Sequence, residues 1–315
     1  MLRIGFVVAP GFQMMSLAAL SVFEMANVKA GEKFYNIRVL SEGGGPVASS
    51  IGTTMDTQAF SKPAFDTLVV TGILEPAASS SSGLLRFIRR ASTACRRTAS
   101  ICTGAFILAE AGVLDERRAT THWQHARELQ RRFPKVRVED DRIFIIDGSI
   151  WTSAGMSAGI DLALGMVEKD FGAETARSVA QSLVVYHRRA GGQSQHSALL
   201  EMDAKSDRIQ NALAYAKRNL RSSLTVDQLA DAAHLSPRQF SRAFRTETGQ
   251  SPARAVEHLR VEAARMMIEQ SRHSIDVIAA ETGFADRERM RRAFLRAFGQ
   301  PPQVIRRNAR LEATD

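Results

Sequence analysis

At 315 residues the chain is longer than one ordinary domain needs, which suggests two. Its 44% hydrophobic and 24% charged content excludes a largely disordered polymer, and no stretch approaches the roughly 18 uninterrupted apolar residues of a membrane-spanning helix. The net charge of +9 sits in one place: residues 205–310 hold twenty basic and eleven acidic side chains, while the remainder is balanced at twenty-two of each.

The N-terminal apolar run is too short for a secretory core and lacks a small-residue cleavage pattern, so a cytoplasmic protein without a membrane partner is expected. Two cysteines, Cys95 and Cys102, are too few for a disulfide framework or a structural zinc site, and no motif calls for a metal or a cofactor.

In chain order, apolar runs at 4–9, 67–71 and 98–101 are each followed by a helical pattern, at 17–30, 84–94 and 103–111. This alternation predicts an α/β domain with a mostly parallel sheet and flanking helices over residues 1–190. Gly112 reads as a left-handed helix cap, and 143–146 with 150–152 as a hairpin around Asp147-Gly148 that gives the sheet a mixed edge. Gly43-Gly44-Gly45 and Gly191-Gly192 lack the lysine-serine pair of a phosphate loop and read as turns.

Periodicity lapses after Arg188 in a polar, glycine-bearing stretch, so residues 191–206 are expected to link two domains. From 207 to 310 the pattern is wholly helical and repeats itself. Phe240-Ser241-Arg242-Ala243-Phe244 and Gly249-Gln250-Ser251-Pro252 recur as Met290-Arg291-Arg292-Ala293-Phe294 and Gly299-Gln300-Pro301-Pro302. Thr225-Val226-Asp227-Gln228-Leu229-Ala230 recurs as Ser274-Ile275-Asp276-Val277-Ile278-Ala279.

In the first copy Thr225 caps a helix to Ala232, Ala233-His234-Leu235 turns, and Ser236-Pro237-Arg238-Gln239 opens the next helix as a capping box. Val226, Leu229 and Ala230 are expected beneath Phe240, Ala243 and Phe244, which turns Arg238, Ser241, Arg242 and Arg245 outward. In the second copy Ser274 caps a helix to Glu281, Gly283-Phe284 turns, and a helix over about 286–298 exposes Arg287, Glu288, Arg289, Arg291 and Arg292. Such a helix fits the major groove, where arginine reads guanine or clamps phosphate and a glutamate can accept from a cytosine amino group. The bland alternative, a packing module with an arginine-covered face, does not account for two copies with matching caps and turns.

Leu259-Arg260, Glu262, Ala264-Arg265, Ile278-Ala279, Gly283-Phe284, Arg292-Ala293-Phe294, Phe298-Gly299 and Pro302 together resemble the AraC/XylS family signature over 207–310. The resemblance implies a linker helix over about 252–270, double-stranded DNA as partner, and Arg238, Ser241, Arg242, Arg287, Glu288, Arg289 and Arg292 as contacting positions. RNA polymerase is admitted as a further partner.

In the first domain, Ala99-Ser100-Ile101-Cys102-Thr103-Gly104-Ala105 places a cysteine where a strand turns sharply into a helix, a setting expected to lower its pKa. His122 is a candidate proton acceptor for it. Read from the residues alone, a buried small Cys102 and a satisfied helix-start His122 account for the pattern equally well. Ile101 to Phe106, Ala119-Thr120-Thr121-His122-Trp123, and Trp151-Thr152-Ser153-Ala154-Gly155 with Ala158-Gly159-Ile160-Asp161-Leu162-Ala163 resemble the ThiJ/PfpI, amidotransferase-like domain, of flavodoxin-like fold. With the helical module they resemble GlxA-type regulators across nearly the whole chain.

Enzymes of that superfamily carry an acid after the first strand; here Ser16 is expected in its place, so no catalytic residue is assigned and a binding pocket is favoured over turnover. Cys102, Thr103, His122, Ser16 and Ser153 are the ligand-binding candidates for a small effector, and the resemblance points to an amino acid or amine. A homodimer through the first domain is expected. Two other readings stay open: an active cysteine amidase, hydratase or glyoxalase-like enzyme with a DNA-binding module, and a constitutive DNA-binding protein whose first domain is a scaffold.

Overall fold

The computed structural model describes residues 1–61, 65–76, 79–185, 189, 191, 195, 204 and 206–307. The chain forms two compact units, Met1–Gln195 and His196–Asp315. Most of the expected linker, residues 191–206, lies outside the described residues.

Unit 1 is built on an eight-stranded sheet in the order β3-β4-β2-β1-β5-β6-β10-β9. Its strands are β1 (Leu2–Val7), β2 (Tyr35–Ser41), β3 (Gly45–Ala48), β4 (Thr54–Ala59), β5 (Thr67–Val70), β6 (Arg97–Ile101), β9 (Phe144–Asp147) and β10 (Ile150–Ser153). β7 (Arg118–Ala119) and β8 (Arg137–Val138) form a separate parallel pair. The central pairings are parallel, while β3–β4 and β9–β10 are antiparallel. The second of these is the expected hairpin around Asp147-Gly148.

Every residue of β5, β6 and β10 is buried, as a sheet covered on both faces requires. Alternation sends Phe6, Val69, Ala99 and Trp151 to one face and Val7, Leu68, Val70 and Ile150 to the other. The first face is covered by α1 (Ala18–Ala30) and α5 (Ser157–Ser182, kinked at Gly172, φ 88°), the second by α2 (Ser82–Ala94) and α3 (Gly104–Glu110). Gly112 (φ 73°) ends α3 with its amide donating to Ala109 O at 2.9 Å, the expected left-handed cap. Strands β2 to β4 have no counterpart in the sequence reading. Asn36 and Arg38 interrupt the apolar run of β2, and β3 and β4 are short outer strands with mostly polar or exposed residues.

Unit 2 contains α6 (Asp207–Arg218), α7 (Val226–Ala232), α8 (Pro237–Thr248), α9 (Pro252–Gln270), α10 (Ile275–Glu281), α11 (Arg287–Phe298) and a last helical turn over 302–307. Thr225 and Ser236 head capping boxes with Gln228 and Gln239, Ser274 and Asp286 cap α10 and α11, and Pro237 and Pro252 stand in first turns. One core joins Ile209, Leu229, Ala230, Phe240 and Phe244 to Ala255, Val256 and Leu259 of α9. Another joins Ile278, Ala279, Met290 and Phe294 to Val261, Ala264 and Ile268 of the same helix. One residue departs from expectation: Val226 begins its helix on the solvent side, 38% exposed, and does not pack beneath Phe240.

The two cores are tied at one junction. Arg260 of α9 donates from Nε to Leu220 O at 3.1 Å and from Nη2 to Ser222 O at 2.6 Å. Gly283, in the α10–α11 turn at φ 79°, lies so near that a Cβ there would overlap Leu220 O. Arg221 adds an ion pair to Glu281 at 3.2 Å. Replacing Gly283 by Ala is expected to destabilise the protein by about 1–3 kcal/mol from the positive φ alone, with the steric overlap adding to this. Chemical denaturation of the purified variant measures it.

Candidate nucleic-acid interface and effector site

Helix α8 presents Arg238, Arg242 and Arg245 to solvent, with Ser241 half-buried among them; α11 presents Arg287, Glu288, Arg289, Arg291 and Arg292. Both helices are pinned from beneath by their aromatic residues, Phe240 and Phe244 in one and Phe294 in the other, so the arginines stand on rigid supports. Glu288 is already engaged: both its oxygens accept from Arg291, at 2.9 Å each. Those hydrogen bonds hold the Glu288 carboxyl below the usual carboxylate range, so it is ionised at neutral pH. To accept from a base it would have to give up part of this pair.

A cleft of about 760 Å³ opens between the halves of unit 2, where Arg289, Arg292 and Arg296 of α11 face Arg221, Arg260 and the start of α9. Arg296 is fixed there by Glu257, at 2.8 and 3.2 Å. Of these, Arg221 and Arg296 were not singled out in the sequence. The repeat marked the faces of the recognition helices, and neither residue lies in a repeated motif.

In unit 1 the parallel register brings the ends of β5, β6 and β10 together, with Val70 beside Ser100 and Ile101 beside Ser153. Cys102 follows β6 at φ 56°, a left-handed conformation for a non-glycine residue. Its amide donates to Ser153 O at 3.1 Å, and its carbonyl accepts from Thr121 Oγ1 at 2.9 Å. Gly155 is required beside it, since a Cβ there would run into the Cys102 Cβ. Thr103 Oγ1 accepts from the Ile73 amide at 2.9 Å, and the buried Ser16 Oγ accepts from the Gly72 amide at 3.3 Å. Gly72 itself abuts the Cys102 side chain, so Ser16 lies one residue removed from the elbow. Ser153 is buried, its hydroxyl donating to Ser100 O at 3.3 Å.

His122 is half-buried at the N-cap of α4 (Trp123–Arg132), where Nδ1 accepts from the Gln124 amide at 3.4 Å. The elbow does not activate the thiol as the sequence suggested. Cys102 is 2% exposed, and burial pushes its pKa up, outweighing the hydrogen bonds from Thr103 that pull it down. A short helix N-terminus beside a sealed thiol does not offset the lost hydration of the thiolate.

Two helix-turn-helix units on a shared helix, joined to a doubly wound α/β unit with a strained cysteine at its strand ends, define a DNA-binding regulator with an appended α/β domain. Known proteins agree with that class. Residues 3–169 match the DJ-1/PfpI family and residues 229–308 a helix-turn-helix domain. The chain is 32% identical over 312 residues to the HTH-type transcriptional regulator GlxA of Rhizobium meliloti, covering 98% of this chain and 96% of that protein. It is 31% identical over 190 residues to the isonitrile hydratase of Pseudomonas putida, covering 58% of this chain and 78% of the enzyme. The crystal structure of an AraC family transcriptional regulator from Pseudomonas putida superposes with a TM-score of 0.54 at 26% identity, covering 58% of this chain and all of that one. The chain therefore belongs to the DJ-1/PfpI family. With its AraC-type helix-turn-helix domain it is one of the DNA-binding transcriptional regulators assembled from these two parts. Among the described residues no helix is long and apolar enough to cross a membrane.

The raised pKa makes Cys102 a poor nucleophile at neutral pH. Its alkylation by iodoacetamide at pH 7 should be slower than that of an unstructured cysteine peptide, and should reach its plateau at a higher pH than the peptide does. Peptide mass spectrometry across a pH series checks this.

Proposed function

We propose that this regulator reads duplex DNA with α8 and α11 in neighbouring major grooves and that unit 1 gates the reading in response to a small effector. The observation that carries the reading is the division of α9 between two cores, which holds two arginine-bearing helices on one rigid support. Arg238, Ser241 and Arg242 serve one half-site; Arg287, Glu288, Arg289 and Arg292 serve the other. A bidentate arginine on a base contributes about 1–3 kcal/mol of discrimination, whereas phosphate contacts contribute without regard to sequence.

In unit 1 the effector site is the group Ser16, Cys102, Thr103, His122 and Ser153, at the strand ends where open α/β sheets take their ligands; all but the half-buried His122 are buried, so an effector would enter from the His122 side. An amino acid or amine is the class suggested by the family resemblance. Binding rather than turnover is the better reading. Ser16 offers a hydroxyl where hydrolytic relatives are expected to have an acid, and a thiol held protonated by burial is a weak nucleophile. The hydratase likeness favours the enzyme reading over the first unit only, and a catalysed hydration by the purified chain that depends on Cys102 would establish it. Control by an effector requires that it bind the two states of the regulator unequally. Pairing of two chains would give the two-fold arrangement common in such regulators, and RNA polymerase would be the downstream partner. Sharing the chromosome's compartment would make the protein cytoplasmic.

Replacing Arg242 or Arg292 by Ala is expected to weaken binding to the cognate fragment by about 1–3 kcal/mol while leaving random DNA less affected. Equal losses on both, in paired fluorescence-anisotropy titrations, would reassign that arginine to phosphate.

A further inference from the structure

Unit 1 ends at Gln195, and this last residue is docked on the loop that carries His122, one of the effector-site candidates. Its side-chain amide nitrogen donates toward Thr121 O at 2.9 Å, Arg142 O at 3.0 Å, Asp140 O at 3.1 Å and Thr120 Oγ1 at 3.3 Å. The side-chain oxygen accepts from the Trp123 amide at 2.9 Å, and the backbone amide donates to Asp141 Oδ1 at 2.8 Å. Four oxygens converge on a group with two hydrogens, so the receptacle selects an NH2 and repels a carboxylate.

The same loop touches the elbow. Thr121 Oγ1 donates to Cys102 O, Thr120 N donates to Thr152 Oγ1 of β10 at 2.8 Å, and His122 lies between Thr121 and Trp123, two of the residues whose backbone atoms grip Gln195. A second anchor stands six residues earlier. Arg189 donates from its backbone amide and from Nε to Asp161, at 2.8 and 2.9 Å, and from Nη2 to Ser157 Oγ at 2.8 Å, on the helix that begins just after Gly155. The chain thus leaves unit 1 fastened at both places to segments that flank Cys102.

We infer that Gln195 is a positioning residue through which occupancy of the Cys102 edge is relayed to the DNA-binding unit. Any ligand that shifts Thr121, His122 or Trp123 changes the grip on Gln195, and the next residue, His196, already belongs to unit 2. The relay rests on the effector reading proposed above, but it can be tested without knowing the effector. Coupling between sites is reciprocal in binding free energy, so DNA bound to unit 2 must alter the Cys102 edge if the edge alters DNA binding.

The experiment uses the full chain, a genomic DNA fragment that it binds, and iodoacetamide, with alkylation rates of Cys102 and Cys95 read separately by peptide mass spectrometry. DNA should change the Cys102 rate about fivefold or more, through the shift that an ordinary coupling free energy makes in how often the edge opens, and leave Cys95 unchanged. In Gln195→Glu, which sets a carboxylate against the oxygens, and in Gln195→Met, which keeps the length without the hydrogen bonds, DNA should still bind but the Cys102 rate should no longer respond. The methionine variant carries the test if the glutamate variant does not fold. No DNA response in the native chain, or a response that persists in the variants, overturns the relay. A Gln195-dependent response together with DNA affinity that no amine or amino acid alters would leave the relay standing and remove the proposed effector class.

Discussion

Two recognition helices read one stretch of duplex at the least entropic cost when the distance and angle between them are fixed before binding. Here that constraint falls on a few atoms. Arg260 reaches from α9 to the carbonyls of Leu220 and Ser222, and Gly283 lets the turn of the second unit close on the same Leu220 carbonyl. The rest of unit 2 follows from it. Helix α9 can serve two cores because its ends are held by separate apolar clusters, and the cleft lined by arginines exists because the halves meet at the junction and diverge beyond it. A flexible joint would lower the effective concentration of the second helix at its site and add an ordering cost to binding.

Unit 1 obeys a different constraint, the crowding of backbone at the ends of the strands β5, β6 and β10. Cys102 is forced to positive φ, Gly155 has no room for a side chain, and buried hydroxyls of Ser16, Thr103 and Thr121 take up neighbouring backbone groups. The result is a stiff floor in which small displacements pass to the next hydrogen-bonded segment.

Much of this was legible in the sequence where local chemistry dictates geometry. Thr225, Ser236, Pro237 and Ser274 set helix starts that the structure reproduces, and the limits expected for α9 from family resemblance, 252 to 270, are those observed. Other elements were missed. Strand β2 alternates apolar and polar residues from Tyr35 to Val39, a period-2 signal that a search for unbroken apolar runs passes over. The spacing of Val226 points to the core, yet the first helical position of α7 falls outside the contact. The candidate site shows the same split: the cysteine elbow was visible as a strand-to-helix transition, but the sign of its pKa shift depends on burial, which no local motif encodes. Gln195 gave no signal, since its role consists of contacts with residues 53 to 75 positions away.

The central claim is that the basic helical unit reads specific DNA as one body. The most direct measurement is a salt-dependent binding titration on genomic fragments from upstream of the protein's own gene and its neighbours, against random DNA of equal length. The account predicts saturable binding to at least one fragment, about a thousandfold or more tighter than to random DNA at physiological salt, with affinity falling steeply as salt rises. Equal affinity for all fragments at every salt concentration would contradict it.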